Sequence, residues 1–334
     1  MEKMKDTLKV GILGTGRMAA VMAEAITHMP QVTAVAAASR SPEKARAFAD
    51  AHGIGKAYGS YVEMLSDPEV ELVYIASPHS HHREHAKLCL ENGKPVLCEK
   101  SFTVNTEEAE ELINLSEEKH LLLAEAIWTR YMPLAKQLKE IAHDGSIGQI
   151  RSLSCSLCYN TIGNPRVALP EYAGGALLDV GIYCLTFLSL VLGDEVGSVT
   201  ASMVRTPEGV DAEDHVLLTY NDGGNFVNAS FYSSITGPSD RSGMICGTGG
   251  YIAVGNINNF EYIEVYDSSH KLLRRIDRPK QPGTGYEYQF DSCRKVLREG
   301  KTECPEMPHS EIIAMMRLMD RIRRVMGLKY PSLE

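Results

Sequence analysis

One stretch near the start of the chain decides the fold: Leu8-Lys-Val-Gly-Ile-Leu-Gly14-Thr-Gly16-Arg-Met-Ala19. The apolar run Leu8–Leu13 predicts a buried strand, and the apolar spacing over Ala19–His28 predicts a helix. Gly14 permits a tight turn between them, Gly16 lets a phosphate approach the backbone, and Ala19 lets the helix pack closely on the strand. Because such a helix begins with free N–H groups and a positive dipole end, the stretch indicates a site for the pyrophosphate of a dinucleotide.

A second strand is predicted over Val32–Ala38, and the residue that follows it bears on the choice between NAD and NADP. An acidic residue there would hold the ribose 2′-OH of NAD and repel the 2′-phosphate of NADP. The chain has Ser39 and Arg40 instead, and a hydroxyl beside a guanidinium suits a phosphate. We therefore expect NADP, with NAD as the second choice. The alternative is that Arg40 is a solvated loop residue.

Strands and helices continue to alternate through the first third of the chain. The predicted helices are Pro42–His52, Tyr61–Leu65, His82–Asn92 and Thr106–Lys119, and the predicted strands are Val70–Ala76, Val96–Cys98 and Leu121–Ala124. This alternation is typical of an α/β fold with a doubly wound parallel sheet. Ligands of such sheets bind beyond the carboxyl ends of the strands. Three loops are therefore of interest: Gly14–Ala19, Ser77–His82 and Glu99–Ser101.

The pattern changes near Trp128. After predicted helices at Leu134–His143 and Gly174–Leu192, short β-rich segments follow one another with glycine turns between several of them. These segments are Val196–Arg205, His215–Tyr220, Asn225–Ser233, Arg241–Cys246, Tyr251–Val254, Tyr262–Tyr266 and Lys271–Ile276, and helices at Tyr286–Glu299 and Ser310–Met326 close the chain. We expect two domains, a Rossmann domain at residues 1–127 and an α+β domain with an open, largely antiparallel sheet at residues 128–334.

Composition excludes several classes of protein. The 334 residues are 44% apolar and 23% charged, as in ordinary globular proteins. A net charge of −9 argues against nucleic acid or an anionic membrane as the main partner. Asp179 interrupts the longest apolar stretch, so no membrane span is expected. The scattered cysteines indicate a reducing, cytoplasmic location, and Cys155 and Cys158 lie on a predicted strand where their side chains would point to opposite faces.

Several short motifs together resemble those of the glucose–fructose oxidoreductase/inositol dehydrogenase (Gfo/Idh/MocA) family, and most of all its dimeric dihydrodiol dehydrogenase branch. They are Gly14-Thr-Gly16, Ser77-Pro-His-Ser-His-His82, Gly93-Lys-Pro-Val-Leu-Cys-Glu99-Lys100, Glu125-Ala-Ile-Trp128-Thr-Arg130, Gly174-Gly-Ala-Leu-Leu-Asp179-Val-Gly-Ile-Tyr183-Cys and Gly247-Thr-Gly-Gly-Tyr-Ile252. The resemblance extends from about residue 8 to residue 330. Three positions depart from the usual pattern of the family. Ser101 replaces a proline, which predicts a looser loop. His79 stands where many relatives carry asparagine, and Tyr183 stands where the sugar dehydrogenases often have histidine; both agree with the dihydrodiol dehydrogenase branch.

The resemblance implies an NAD(P)-dependent oxidoreductase that transfers a hydride between nicotinamide and a secondary alcohol or carbonyl of a sugar or cyclic diol. It also implies that the second domain binds the substrate and associates through one sheet face, in a homodimer or homotetramer. Two alternatives stay open. One is a family member that uses bound cofactor transiently for glycoside oxidation and elimination, and the other is a non-catalytic, cofactor-sensing regulator.

Three residues are candidates for catalysis. Asp179 and Tyr183 lie four residues apart in an apolar predicted helix, so they share a face. Burying a carboxylate there is costly without a partner, which favours a site over a core position. The structural alternative is an aspartate that caps a loop and a tyrosine in the core. Lys100 follows the predicted strand Val96–Cys98, which places it at the carboxyl end of the sheet.

Carbonyl–alcohol interconversion needs an acid/base group at the oxygen. A phenol has an ordinary pKa of about 10, which is high for a base at neutral pH. A lysine ammonium about 4 Å away, at an effective dielectric of about 20, contributes about 4 kcal/mol. That is roughly three pKa units, before desolvation opposes it. We therefore expect Tyr183 as acid/base, Lys100 as its electrostatic partner, and Asp179 as an orienting group or acceptor of a substrate hydroxyl.

The remaining candidates bind cofactor or substrate. The predicted cofactor-binding residues are Gly14, Gly16, Arg17, Met18, Ser39, Arg40, Ser77, His79, His82, Glu99 and Lys100, and the predicted substrate-binding residues are His79, Trp128 and Arg130. Trp128 could wall a pocket for a ring, or pack at a domain hinge instead. His79, His81, His82 and His85 could suggest zinc, but no carboxylate or cysteine has matching spacing, so no metal is expected.

Overall fold

The structure, a computed structural model, describes residues 7–222, 224–280 and 283–330. Its chain divides into two units, the first made of Met1–Trp128 and Gln281–Ile312, and the second of Thr129–Lys280 and Ile313–Glu334. The strands are β1 Leu8–Leu13, β2 Val32–Ala38, β3 Lys56–Tyr58, β4 Leu72–Ile75, β5 Val96–Glu99, β6 Leu123–Ala126, β7 Ile150–Cys158, β8 Val196–Arg205, β9 Asp211–Asp222, β10 Asn225–Ser234, β11 Gly243–Gly247, β12 Gly250–Gly255, β13 Tyr262–Asp267 and β14 Leu272–Asp277. The helices are α1 Arg17–Thr27, α2 Pro42–Ala51, α3 Tyr61–Leu65, α4 His82–Glu91, α5 Thr106–Lys119, α6 Pro133–Ala142, α7 Pro165–Ala168, α8 Ile182–Leu192, α9 Glu287–Arg298 and α10 His309–Met326.

The first unit is built on a parallel sheet. Within the described residues this sheet has six strands in the order β3-β2-β1-β4-β5-β6. The chain starts at β1, runs outward to β3, returns and continues through β4 to β6, which is the doubly wound arrangement expected from the sequence. Every residue of β4, β5 and β6 is buried, because helices cover both faces of such a sheet.

Short polar side chains cap the N-termini of two long helices of this unit. Ser41 accepts a hydrogen bond from the backbone N–H of Lys44, three residues into α2. Asn105 does the same for Glu108 in α5. Such caps satisfy N–H groups that have no partner within the helix. The start of α1 differs, because its N-cap residue is Gly16 and no side chain caps it.

The second unit is an open sheet with helices on one face. In the described part of the chain the sheet has eight strands, ordered β14-β13-β12-β11-β7-β10-β9-β8, and only the β7–β10 pair is parallel. Alternate residues of β10, among them Val227, Ala229 and Phe231, are buried, as the two-residue period of a half-covered strand requires. This confirms the largely antiparallel α+β architecture predicted for the second half of the chain.

One stretch of the described chain, Pro170–Leu192, is long and apolar enough to cross a membrane by length and composition alone. In the structure 94% of its most apolar window is buried inside the protein. Protein therefore covers this apolar surface, as in a core helix.

Several details differ from the sequence prediction, and three of them concern the architecture around the candidate site. The short strand β3 was not predicted. The helix expected over Gly174–Leu192 begins at Leu177 as a π-helix, Leu177–Gly181, that runs into α8. Gly175 has φ +118°, and this left-handed backbone cannot continue a helix.

The third difference concerns residues 283–312, which were expected in the second domain but belong to the first unit, whereas residues 313–330 belong to the second unit. Phe290 of α9 is fully buried and packs edge-on against Tyr74 of β4, with ring centroids 5.9 Å apart. The backbone N–H of Leu123 in β6 donates to the carbonyl oxygen of Thr302 at 3.0 Å. The segment thus completes the packing of the parallel sheet.

We predict that Phe290→Ala destabilises the first unit by about 3–5 kcal/mol, because it removes a buried ring and leaves a cavity. The single tryptophan, Trp128, lies in this unit, so its fluorescence during urea unfolding measures the loss. Phe226→Ala is the matched control, since that ring is 77% exposed and its removal should change stability by less than about 0.5 kcal/mol. Equal effects of the two substitutions would contradict the assignment of α9 to the first unit.

Candidate active site

Four loops of the first unit meet at the carboxyl edge of the parallel sheet. They follow β1, β2, β4 and β5, which are consecutive neighbours in the sheet. Hydrogen bonds and contacts tie the loops together: the N–H of Gly14 donates to the carbonyl oxygen of Ala38 at 3.0 Å, and a Cβ added at Gly14 would lie 3.1 Å from the carbonyl oxygen of Ala76. The residues predicted to bind cofactor on these loops therefore lie along one edge.

The turn after β1 presents an open helix N-terminus. Gly14 has φ +101°, a conformation that favours glycine. No described atom lies within 4 Å of a Cβ added at Gly16, so the space beside this residue is clear. The first turn of α1 reads Arg17-Met-Ala-Ala and contains no carboxylate to compete with an anion. These features suit a phosphate at the positive end of the helix.

His82 is fully buried at the start of α4 and bridges two of the loops. Its Nε2 lies 2.9 Å from the carbonyl oxygen of Ser77, and its Nδ1 lies 2.8 Å from that of Ser101. A neutral imidazole carries one N–H, so only the protonated ring donates to both carbonyl groups at once. His82 thereby fixes the spacing between the loop after β4 and the loop that carries Lys100.

His85, one turn further along α4, is held by the same loop. Its Nδ1 lies 2.9 Å from the Oγ of Ser77, and its ring packs edge-on against Tyr61 with centroids 4.8 Å apart. Burial, and then the positive charges of His81, His82 and Arg40, lower the pKa of His85 to about 4. His85 is therefore neutral near pH 7 and can accept a hydrogen bond from Ser77.

Ser39 and Arg40 follow β2 at the same edge. Ser39 is buried and its Oγ accepts a hydrogen bond from the N–H of Ser41 at 3.4 Å. Arg40 is exposed. The positive charge of Arg40 lowers the pKa of both Tyr61 and His85, although burial has the larger effect on each.

Lys100 is partly exposed directly after β5, and two buried carboxylates lie on this strand and its neighbour. Glu99 accepts a hydrogen bond from the hydroxyl of Tyr74 at 2.6 Å, and burial together with this carboxylate raises the pKa of Tyr74. Glu125, on the neighbouring strand β6, accepts from the N–H of Phe102 at 3.0 Å. Ser101 replaces a proline, and a looser loop was expected for that reason. His82 binds the carbonyl oxygen of Ser101 and Glu125 binds the N–H of Phe102, so hydrogen bonds hold the loop on both sides and offset the loss of the proline.

Trp128 and Arg130 lie close in sequence but belong to different units. Trp128 is 5% exposed and stacks on Tyr286 with ring centroids 4.1 Å apart. Arg130 is buried in the second unit and donates to the Oγ of Ser189 in α8 at 2.9 Å. The ring of Trp128 is thus held in place by stacking on Tyr286, and Arg130 contributes to the packing of α8.

The polar pair of the second unit lies where the π-helix meets α8. Asp179 is 6% exposed and Tyr183 is 8% exposed. Arg166 of α7 donates to the Oδ1 of Asp179 at 3.0 Å. This ion pair holds the carboxylate of Asp179 one turn before Tyr183 in the chain.

Two family models match the chain. One, described as an oxidoreductase family with an NAD-binding Rossmann fold, matches residues 8–126, and the other, a GFO/IDH/MocA C-terminal domain, matches residues 135–253. Trans-1,2-dihydrobenzene-1,2-diol dehydrogenase from Homo sapiens is 35% identical over 334 residues, covering 97% of this chain and 98% of the human protein. The Xenopus laevis protein of the same name is 32% identical over 331 residues, covering 97% and 99%.

The chain is an oxidoreductase of the Gfo/Idh/MocA family. The family expected from the sequence motifs is thereby confirmed. The oxidoreductase is also similar in fold to a 3-ketoreductase from Actinomadura kijaniata in complex with NADP and TDP-benzene, with a TM-score of 0.86, 23% identity, and coverage of 96% of this chain and 98% of that one. An aldose-aldose oxidoreductase from Caulobacter crescentus gives a TM-score of 0.84 at 21% identity, with coverage of 96% and 97%. At these identities the similarity shows the fold alone.

The cofactor class of this oxidoreductase is a nicotinamide dinucleotide, and the residues present fit it. The open N-terminus of α1 at Gly16 would hold the pyrophosphate, and the polar loops after β2, β4 and β5 would hold the two ends. No group of three or more His, Cys, Asp or Glu that could hold a metal occurs among the described residues. All eight cysteines lie in that part of the chain and are free thiols.

Sequence reasoning gave no role to four residues that support the candidate site. Tyr74 holds Glu99, Glu125 holds the loop after Lys100, Tyr286 stacks on Trp128, and Arg166 pairs with Asp179. Tyr74 lies in an apolar strand that resembles core. The other three reach their partners across turns or from distant segments, for which local spacing gives no signal.

We predict that NMR titration of the His85 ring gives a pKa near 4. Because the folded pKa lies below the ordinary value of about 6.5, the unfolded chain binds more protons between these pH values. Stability from this residue is therefore present above pH 6.5 and falls as the pH drops toward 4, by up to about 3 kcal/mol. His85→Gln should flatten this part of the stability–pH curve. A measured pKa at or above 6.5 would contradict the buried, neutral ring.

Proposed function

We propose that this oxidoreductase is an NADP-dependent dehydrogenase that oxidises a secondary alcohol of a cyclic diol or sugar and, in reverse, reduces the corresponding carbonyl. The observation that carries the proposal is the nearly full-length similarity to proteins named trans-1,2-dihydrobenzene-1,2-diol dehydrogenase. The names of the 3-ketoreductase and the aldose-aldose oxidoreductase of similar fold support the same substrate chemistry. When bound, the nicotinamide accepts a hydride from the carbinol carbon during oxidation and returns it during reduction.

Tyr183 is the proposed acid/base. Its phenolic oxygen takes the hydroxyl proton when the alcohol is oxidised and returns it when the carbonyl is reduced. This assignment is supported by the position of Tyr183, a phenol four residues after Asp179 in a helix whose other buried residues are almost all apolar. Because burial disfavours the phenolate, the role needs a nearby cation.

Lys100 and Asp179 are the proposed partners of Tyr183. The ammonium group of Lys100 favours the phenolate form and donates a hydrogen bond to the substrate oxygen. Asp179 accepts a hydrogen bond from the second hydroxyl of a diol, which orients the carbon that reacts. Arg166 supports this role because it satisfies one carboxylate oxygen and holds the side chain in place.

Ser39 and Arg40 are the proposed determinants of NADP over NAD. Arg40 is exposed directly after β2, where the residue that contacts the ribose 2′ position of a dinucleotide lies in this fold. His79 and Trp128 are proposed to border the substrate. The substrate role of Arg130, the cytoplasmic location and assembly as a homodimer or homotetramer stay predictions.

Tyr183→Phe should lower kcat about 10²–10⁴-fold, since it removes only the hydroxyl that exchanges the proton. Lys100→Met should lower kcat by at least about 10²-fold, because the cation that favours the phenolate is lost. Both effects are measured as reduced-nicotinamide absorbance with trans-diols and aldoses. The matched controls are Tyr251→Phe and Lys136→Met, the latter at a side chain that is 84% exposed. If both site variants fold and retain wild-type rates, the assignment is wrong.

Arg40→Asp should shift cofactor preference from NADP toward NAD by at least about tenfold in kcat/KM, because a carboxylate repels the 2′-phosphate. Lys136→Asp changes the net charge equally and should leave the preference unchanged. A wild-type enzyme that is tenfold more efficient with NAD would overturn the proposed role of Ser39 and Arg40.

A further inference from the structure

Two buried carboxyl groups lie near the start of the π-helix that carries Asp179. Asp211 and Asp214, near the start of β9, are both fully buried, and each acts on the pKa of the other. Asp211 also accepts a hydrogen bond from the N–H of Leu177, the first residue of the π-helix, at 2.6 Å between Oδ2 and N. Asp211 therefore caps the helical segment that contains Asp179 and Tyr183.

A bulge in β9 brings the two carboxyl groups to one side of the sheet. Residues three apart on a regular strand point to opposite faces. The pairing of β8 with β9 shifts between Val204↔Glu213 and Arg205↔Asp211, which leaves Ala212 as the extra residue of a bulge. Asp211 thereby shares a side with Asp214, and Glu213 bonds on the other side to Tyr232 and Thr236.

The glycines before the π-helix make this contact feasible. A Cβ added at Gly175 would collide with the Oδ1 of Asp211, and one added at Gly174 would collide with the carbonyl oxygen of Val167 in α7. The backbone therefore lies directly against the carboxylate on one side and against the helix that carries Arg166 on the other. Any side chain at these positions would displace the start of the π-helix.

Burial raises the pKa of both carboxyl groups. The pKa of Asp211 is raised to about 6, and that of Asp214, which also faces the charge of Asp211, is raised well above its ordinary range. The Oγ of Ser233 donates to Asp214 at 3.1 Å. The neighbouring thiol of Cys184 and phenol of Tyr330 are buried, and burial raises the pKa of each, so both stay neutral.

We propose that Asp211 is a positioning residue of the dehydrogenase: its carboxylate anchors the first turn of the π-helix and so sets where Asp179 and Tyr183 stand. The inference rests on the proposed function of these two residues. It predicts that loss of the acceptor at position 211 harms turnover and leaves cofactor binding intact, because the predicted cofactor loops belong to the other unit.

The test replaces the acceptor by a side chain of similar volume. Asp211→Leu should lower kcat at least tenfold, with the Kd for NADPH within threefold of wild type, and should speed hydrogen exchange of the amides of Leu177–Gly181 at least tenfold. Asp211→Asn should restore both kcat and exchange to within about threefold, because its amide oxygen can still accept from Leu177. Glu213→Gln is the matched control on the same strand and should change neither.

If Asp211→Leu does not fold, hydrogen exchange of the Leu177 amide is measured in the wild-type enzyme instead. Fast exchange of this amide would contradict the hydrogen bond to Asp211 and so overturn the proposal. Wild-type kcat in the folded Asp211→Leu variant would also overturn it, as would a failure of Asp211→Asn to rescue. If wild-type enzyme turns over no diol or sugar, the proposed function fails, whereas the exchange measurements still report on the anchor.

Discussion

A buried carboxylate must be hydrogen-bonded or paired, since leaving it without partners costs several kcal/mol. This constraint shapes the functional part of both units. Glu99 is held by the hydroxyl of Tyr74 in the first unit, and Asp179 is held by Arg166 in the second. Asp211 is held by the N–H of Leu177. Each partner fixes a side chain and also the backbone segment that carries it. The hydrogen bonds that stabilise the buried carboxylates therefore also set the geometry of the candidate site.

The parallel sheet supplies the second organising element. Its neighbouring strands deliver four loops to one edge, and His82 and Glu125 fasten the loop of Lys100 to that edge. The start of α1 is the exception, because Gly16 leaves its first N–H groups without a side-chain cap. The other loops at this edge of the sheet are held by hydrogen bonds, whereas the N–H groups at the start of α1 are open to an anionic cofactor.

Much of the fold followed from the sequence, because apolar periodicity and glycine turns are local signals. The strands β1, β2 and β8 and the helices α3 and α5 have the predicted bounds. The strand β3 was missed because a strand of three residues is too short to show an alternation of apolar and polar side chains. The return of α9 to the first unit was missed because it depends on distant contacts of Phe290. The candidate site residues were predicted from motif and chemistry and stay predictions. Arg166 and Asp211 reach Asp179 and Leu177 through tertiary packing, which local patterns do not encode.

The central claim is hydride transfer from a secondary alcohol, with proton transfer at Tyr183. The most direct measurement uses a diol or sugar substrate deuterated at the carbinol carbon, with mass spectrometry of the nicotinamide product after turnover. We expect one deuterium on the reduced cofactor and a slower rate than with the unlabelled substrate. Reduced cofactor without the label, or turnover of the substrate with no label transferred, would contradict the account.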